Sequence, residues 1–276
     1  MTYNVPDMLY IVATPIGNLE DISLRAIRIL NEAVLIAAED TRKTRILLKK
    51  YDITTKLTSY YEHSKRIKTT QLLNRLLSGD DIAIVSEAGM PGISDPGYEL
   101  INTAVEKGVE VIPIPGPSAV TTALVVSGLP VSEFIYIGFL PRKKADRKKL
   151  LESIADEPRT IVAFEAPHRI ISSLGDIKGI LGDRSIAVCR ELTKLHEEVF
   201  RGNVSQTIEH FANPRGEFTL VIDGKSIEEQ AIDVSSIKEE LKLLKKRGIK
   251  AKEATVKVSK EYGINRKEAY DIWLSL

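Results

Sequence analysis

An α/β fold, a parallel sheet covered by helices, is predicted by three observations. Short apolar runs recur along the first part of the chain, separated by stretches whose apolar residues fall at helical spacing. Polar turns rich in glycine and proline follow those runs, as in strand-to-helix crossovers. At 276 residues and 43% hydrophobic content, the chain has material for one large core or two ordinary ones.

Leu9 to Ala13 reads as the first strand. It runs into Thr14-Pro15-Ile16-Gly17-Asn18-Leu19 and a helix from Asp21 to Asn31, with Asp21 or Ser23 as its cap. Ala33 to Ala38 reads as the second strand, with Glu39-Asp40-Thr41-Arg42-Lys43-Thr44 at its carboxyl end. An amphipathic helix on Ile46, Leu47 and Leu48 follows, and Asp40 or Thr41 suits its N-cap. Thr58 to Lys68 interleaves Tyr60, Tyr61 and His63 with Lys65, Arg66 and Lys68, which suits stacked bases and phosphates as well as an ordinary helix surface. A helix through Leu72, Leu73, Leu76 and Leu77 comes next.

Ile82 to Val85 is a buried strand, and Tyr98 to Lys107 is a helix. Ser86 to Gly97 joins them with three glycines and two prolines in twelve residues. A plain βα connection needs roughly two to six residues, so a stiff loop of this length with Glu87, Ser94 and Asp95 reads as a ligand loop at a strand end. Glu110 to Ile114 is a further strand. A helix then starts near Ser118 with Ala119, Val120, Ala123 and Leu124, and its first N–H groups suit an anionic or carboxylate group.

A domain boundary falls at about Pro117 to Val131. This gives an N-terminal α/β domain at 1–117, a second α/β domain at 118–225 and a helical extension at 226–276. The second part opens with Phe134 to Pro141, followed by Arg142 to Lys149, a basic run of six cations and one carboxylate in eight residues that reads as a phosphate-facing loop. Thr160 to Phe164, Ser185 to Cys189 and Phe218 to Ile222 read as strands. In the extension, Ser235 to Lys246 and Lys252 to Tyr262 read as helices, and a third starts at Asn265 or Arg266; the last two, linked through Gly263-Ile264-Asn265, resemble a helix-turn-helix.

Composition narrows the function. Net charge is +1, so contact with nucleic acid requires local patches. The single cysteine, Cys189, reads as a small core residue, and the four histidines lack ligand spacing, so no metal is implied; His168 and His196 are candidates for binding or proton transfer, though such residues are more often surface hydrogen-bonding groups. The longest apolar runs fall short of the roughly 20 residues of a membrane span, and the first residues lack the pattern of a signal peptide, so a cytoplasmic protein with no membrane contact is expected. GxGxxG is absent from the first turn and GxxxxGK[ST] from the whole chain, which disfavours dinucleotide-dependent dehydrogenases and P-loop enzymes.

Seven motifs in order are specific: ATPIGNLEDISLRA at 13–26, AEDTRKTRILL at 38–48, SEAGMPGISDPG at 86–97, PIPGPSAVTTAL at 113–124, GFLPRK at 138–143, FEAPHR at 164–169 and CRELTKLHEE at 189–198. From about residue 8 to 224 the chain resembles the ribosomal RNA small subunit methyltransferase I family, and its tail resembles that family's small helical extension. The resemblance implies a tetrapyrrole methylase-like fold of two α/β domains, with S-adenosylmethionine folded into the cleft between them. It implies 2′-O-methylation of the ribose of a decoding-centre cytidine in 16S rRNA on the 30S subunit, by a homodimer. Carried over by position, the cofactor contacts are Pro15, Ile16, Gly17, Gly89, Met90, Ile93, Ser118, Ala119, Phe164, Glu165, Phe218 and Thr219. At Gly89-Met90-Pro91 the chain departs from the Gly-Asp-Pro of small-molecule members and lacks their carboxylate; backbone groups or Glu87 stand in.

Methyl transfer to a hydroxyl is an in-line displacement that a base assists. Glu87 is the favoured base among Glu87, Glu39, Asp40 and Glu165, all at predicted strand ends. Arg42, Arg142, Lys143, Lys144, Arg147, Lys148 and Lys149 are the expected RNA-phosphate contacts. A small-molecule methyltransferase of the same fold would not need the basic run or the tail, and a non-catalytic RNA-binding module would not bind the methyl donor.

Overall fold

The computed structural model describes residues 8–61, 65–225, 234–262 and 266–276. His63 and the turn 263–265 lie outside them. The chain divides into two compact units, one ending at Lys225 and the other made of the helices beyond it.

The first unit holds two sheets. In the first, β1 (Met8–Val12), β2 (Leu35–Ala38), β3 (Leu57–Ser59), β4 (Ile82–Val85) and β5 (Glu110–Ile114) lie in the order β3-β2-β4-β1-β5, all parallel. Both faces are covered, which explains why β2 and β4 are apolar throughout instead of alternating. Ile36, Ala38, Ala83 and Val85 point to the side covered by α1 (Leu24–Glu32) and α2 (Thr41–Lys50). Leu35, Ala37, Ile82 and Ile84 point to the side of α3 (Lys65–Leu76) and α4 (Tyr98–Glu106). Helix α1 starts later than the apolar pattern suggests, because Leu19–Asp21 forms a separate 3₁₀ turn and the Ser23 hydroxyl accepts from Ala26 N–H at 3.1 Å. Asp40 caps α2, accepting from Arg42 N–H at 2.8 Å.

After α5 (Ala119–Ser127) comes the second sheet: β6 (Phe134–Phe139), β7 (Thr160–Glu165), β8 (Ser185–Arg190), β9 (Glu198–Asn203) and β10 (Phe218–Ile222), in the order β6-β7-β10-β8-β9. Only β6 and β7 are parallel; the remaining pairs are antiparallel. Ile161, Ala163, Ile186, Val188, Leu220 and Ile222 face α6 (Lys144–Ser153), α7 (Ile170–Leu181) and α8 (Val204–His210). Val162, Ala187, Cys189 and Val221 face Ala123 and Leu124 of α5, and Ile16 from the loop after β1 joins that cluster.

The basic run is not a loop. Its residues from Lys144 onward form the first two turns of α6, and Arg147 is buried, donating from Nε and Nη2 to Asp176 Oδ2 of α7 at 2.9 and 2.6 Å. Arg147 is therefore a packing residue and not a phosphate contact. Its position explains this: Arg147 and the buried Leu151 are one helical turn apart on the face turned to α7. Arg142, Lys143, Lys144, Lys148 and Lys149 are exposed.

In the tail unit, α9 (Val234–Lys246), α10 (Ala251–Tyr262) and α11 (Arg266–Leu274) bury Ile237, Leu241, Leu244, Ala254, Val258, Ala269 and Trp273 against one another.

Candidate active site

A parallel sheet sends every strand out of the same edge, so the loops after β1, β2, β4 and β5 converge there. Two of them are tied directly: Thr14 and Gly89 exchange N–H to C=O bonds at 2.9 Å in both directions. Gly89 takes φ +81°, a shape most side chains resist, and this lets the long loop fold back onto Thr14. The edge faces the second sheet across a cleft of about 490 Å³, within the usual range of about 300–1,000 Å³ for small-molecule sites.

Ile16, Gly89, Met90, Ile93, Ser118, Ala119, Phe164, Glu165, Phe218 and Thr219 all line this cleft. Pro15 and Gly17 instead line a neighbouring groove with Lys43, Glu87, Lys194 and Glu217. Gly17 is there for closeness. A Cβ on it would lie 2.5 Å from Lys194 Cγ and 2.9 Å from the Leu192 carbonyl oxygen. Beside it, Asn18 N–H donates to the Thr193 hydroxyl at 2.9 Å, so the first loop and the loop after β8 clasp at this point.

That second loop is conformationally costly. Glu191 and Thr193 take φ +52° and +66°, left-handed values that cost a non-glycine residue on the order of 1 kcal/mol or more each. Bonds to the Glu191 carboxylate offset the strain: Lys194 Nζ and Glu217 N–H both donate to it at 2.9 Å.

One wall of the cleft is aromatic. Phe164 meets Tyr136 and Phe139 edge-on, each at 5.3 Å between ring centres. Tyr136, Phe139, Leu192 and Glu217 were not singled out as site residues, although alternation along Phe134–Phe139 puts Tyr136 on one sheet face. The Tyr136 and Ser94 hydroxyls hydrogen-bond across the cleft, joining the two sheets on the side of the long loop.

Carboxylates gather on the first-sheet side: Glu39, Glu87 and Asp95 all line the cleft. Glu87 N–H donates to Glu39 Oε2 at 3.3 Å, and the Glu87 carboxylate pairs with Lys43. Burial, and then the charge of Asp95, push the Glu39 carboxyl above its ordinary range; burial, and then Glu87, do the same to Asp95. The other two carboxylates are committed. Hydrogen bonds from the Arg42 side chain hold Asp40 down to about 2. Glu165 is fully buried and accepts from Ala166 N–H at 2.7 Å, from the Ser173 hydroxyl and from Arg169 at 2.5 Å. Burial pushes the Cys189 thiol up to about 11, which removes it as a nucleophile. His168 and His196 are exposed. Among the described residues, no group of three or more His, Cys, Asp or Glu is placed to hold a metal ion, and no helix is long and apolar enough to cross a membrane.

Compared with known families, residues 8–208 match the Tetrapyrrole (Corrin/Porphyrin) Methylases. The chain belongs to the tetrapyrrole methylase family. Among the curated relatives of this methylase, a ribosomal RNA small subunit methyltransferase I of Halalkalibacterium halodurans is 45% identical, covering 96% of this chain and 94% of that protein. Its namesake in Thermotoga maritima is 52% identical over 79% of this chain and 98% of that protein. Among solved structures, a diphthine synthase aligns with a TM-score of 0.61 at 15% identity, over 78% of this chain and 90% of that one. A cobalt precorrin-4 methyltransferase gives 0.61 at 16%, over 80% and 97%. These two likenesses speak for the fold. S-adenosylmethionine is the methylase's methyl donor. The cleft fits such a group, offering an apolar and aromatic wall suited to a flat ring system, backbone of the Gly89 loop, and carboxylates suited to a cationic group.

Proposed function

We propose that this methylase transfers a methyl group to the 2′-hydroxyl of a decoding-centre cytidine in 16S rRNA, acting on the 30S subunit. The observation that carries the reading is the 45% identity to a ribosomal RNA small subunit methyltransferase I over 96% of this chain. When bound, the donor supplies an electrophilic methyl carbon. Ile16, Ala119, Phe164, Phe218 and Thr219 would hold its flat and apolar parts, and the Gly89-Met90 backbone and Ile93 its opposite side.

What remains for the chain is to place the hydroxyl in line and to take its proton. The carboxylate group at the first-sheet end is the acceptor in this reading. Glu39 and Asp95, both held above the ordinary carboxylate range, are the candidate bases; Glu87, the favoured base from sequence, is engaged by Lys43 and holds Glu39 through its N–H. Arg42, Arg142, Lys143, Lys144, Lys148 and Lys149 stand exposed as phosphate contacts. A homodimer belongs to the same reading and is supported by β6, a strand without a charge at the edge of its sheet, which among the described residues pairs on one side only, with β7.

The test is transfer from radiolabelled S-adenosylmethionine to 30S subunits lacking the modification, with the nucleotide mapped by mass spectrometry. Label on one cytidine ribose is the expected result. Label on a base, or none despite donor binding, would overturn the assignment and favour a small-molecule acceptor.

A further inference from the structure

The tail unit carries a charge pattern that its own helices explain only in part. Lys245, Lys246, Arg247, Lys250 and Lys252 fall within eight residues that contain no acid, and all five are exposed. They surround a tight corner. Gly248 takes φ +73°, and its N–H and that of Ile249 return to the carbonyls of Lys245 and Leu244 at 3.1 Å, closing α9. Two residues later Lys250 O accepts from Glu253 and Ala254 N–H at 2.9 and 3.0 Å, opening α10.

Cations at the end of α9 complement the negative pole of that helix and need no other reason. Those at the start of α10 are different. Lys250 stands at the N-cap, where an oxygen-bearing side chain would satisfy the free N–H groups and a lysine offers none. Lys252 adds a second positive charge within the first turn, at the positive pole of the helix. Glu253 is the one acid there. Elsewhere in the unit Lys257 pairs with Glu240 at 2.9 Å. The Lys245 ammonium lies 5.4 Å above the Trp273 ring, which anchors one side of the corner to the unit's core.

We infer that this corner between α9 and α10 is a second contact for the phosphate backbone of the RNA substrate, adding affinity without taking part in methyl transfer. The inference rests on the rRNA reading above. The positive pole of α10 and five cations clustered at one corner are complementary to a polyanion, and an RNA strand is the polyanion that such an enzyme meets. The separation of roles agrees with the Thermotoga relative, which is matched over 98% of its length while leaving a share of this chain about the size of the tail unit without a counterpart.

The experiment compares the full chain with a variant carrying Lys246→Gln, Arg247→Gln, Lys250→Gln and Lys252→Gln. Binding to an unmodified 16S rRNA transcript is followed over a salt series, and donor binding and rRNA methylation are measured on the same preparations. Four lost phosphate contacts should flatten the slope of log affinity against log salt by about 2–3 and weaken binding about tenfold or more at moderate salt, with donor affinity unchanged. An unchanged slope in the variant, while the wild type methylates rRNA, overturns the inference alone. Loss of binding to anionic phospholipid vesicles with rRNA binding intact also overturns it, in favour of a membrane surface. A wild type that neither binds nor labels the transcript nor labels 30S subunits removes the rRNA reading together with it.

Discussion

Replacing Arg147 by methionine separates packing from RNA contact inside a single basic run. Arg147 is 3% exposed and Asp176 is 8% exposed, and the two donations at 2.9 and 2.6 Å fall on one carboxylate oxygen. Methionine fills the space of the stem but leaves that carboxylate buried without its partner. Removing one member of such a pair costs about 3–5 kcal/mol. For a unit of this size each kcal/mol moves Tm by about 2–4 °C, so a fall of about 6–20 °C is expected in thermal unfolding followed by circular dichroism. Pairing Arg147→Met with Asp176→Leu removes both charges and should restore most of the loss, since an apolar pair of similar volume is often neutral or better. RNA affinity measured well below Tm should be unchanged in both variants, whereas Lys143→Gln and Lys148→Gln should weaken RNA binding and leave Tm alone. An Arg147→Met protein with wild-type Tm and weakened RNA binding would refute the packing role.

Three further outcomes are expected. Gly17→Ala places a methyl group against Lys194 Cγ and the Leu192 carbonyl, so it should cost about 1–3 kcal/mol of stability; an unchanged Tm would show that the clasp yields freely. Because the folded chain holds Glu39 and Asp95 protonated to higher pH than the unfolded chain does, these groups make stability fall as pH rises above the ordinary carboxylate range. Asp95→Asn should therefore raise Tm at pH 7 while lowering single-turnover methyl transfer and altering the rising limb of its pH profile; a lower Tm with unchanged rate would contradict both parts. Tyr136→Phe loses the bond to Ser94 across the cleft, worth about 0.5–1.5 kcal/mol, and titration calorimetry should show donor affinity reduced about two- to tenfold.

The legible parts of the chain were those where one physical requirement dominates. Strands β2 and β4 must be apolar on both faces, so Leu35–Ala38 and Ile82–Val85 stand out. Gly89 must take a positive φ to fold back onto Thr14, and the long loop announced itself by length. Two strands, both at sheet edges, carry little signal in the sequence. Leu57–Ser59 is short and half-buried, and Glu198–Asn203 alternates weakly because only one neighbour constrains it. Charge was the least legible property. Nothing in the composition of Arg142–Lys149 distinguishes Arg147, and only its register with Leu151 turns it inward. Similarly, Glu39, Asp40, Glu87 and Glu165 all lie at or just beyond strand ends, yet their partners, Arg42, Lys43, Arg169 and Ser173, decide which carboxylates remain available.

Cys189 has a practical use. It is the chain's single cysteine, is 1% exposed, and its thiol is pushed up to about 11, so almost no thiolate is present for an alkylating dye at neutral pH. The wild-type protein should behave toward such dyes as though it had no thiol, and a cysteine introduced elsewhere would be the sole attachment point. Lys107, exposed at the end of α4 on the edge of the first sheet away from the cleft loops, offers a place for a fluorophore that reports binding without touching the site.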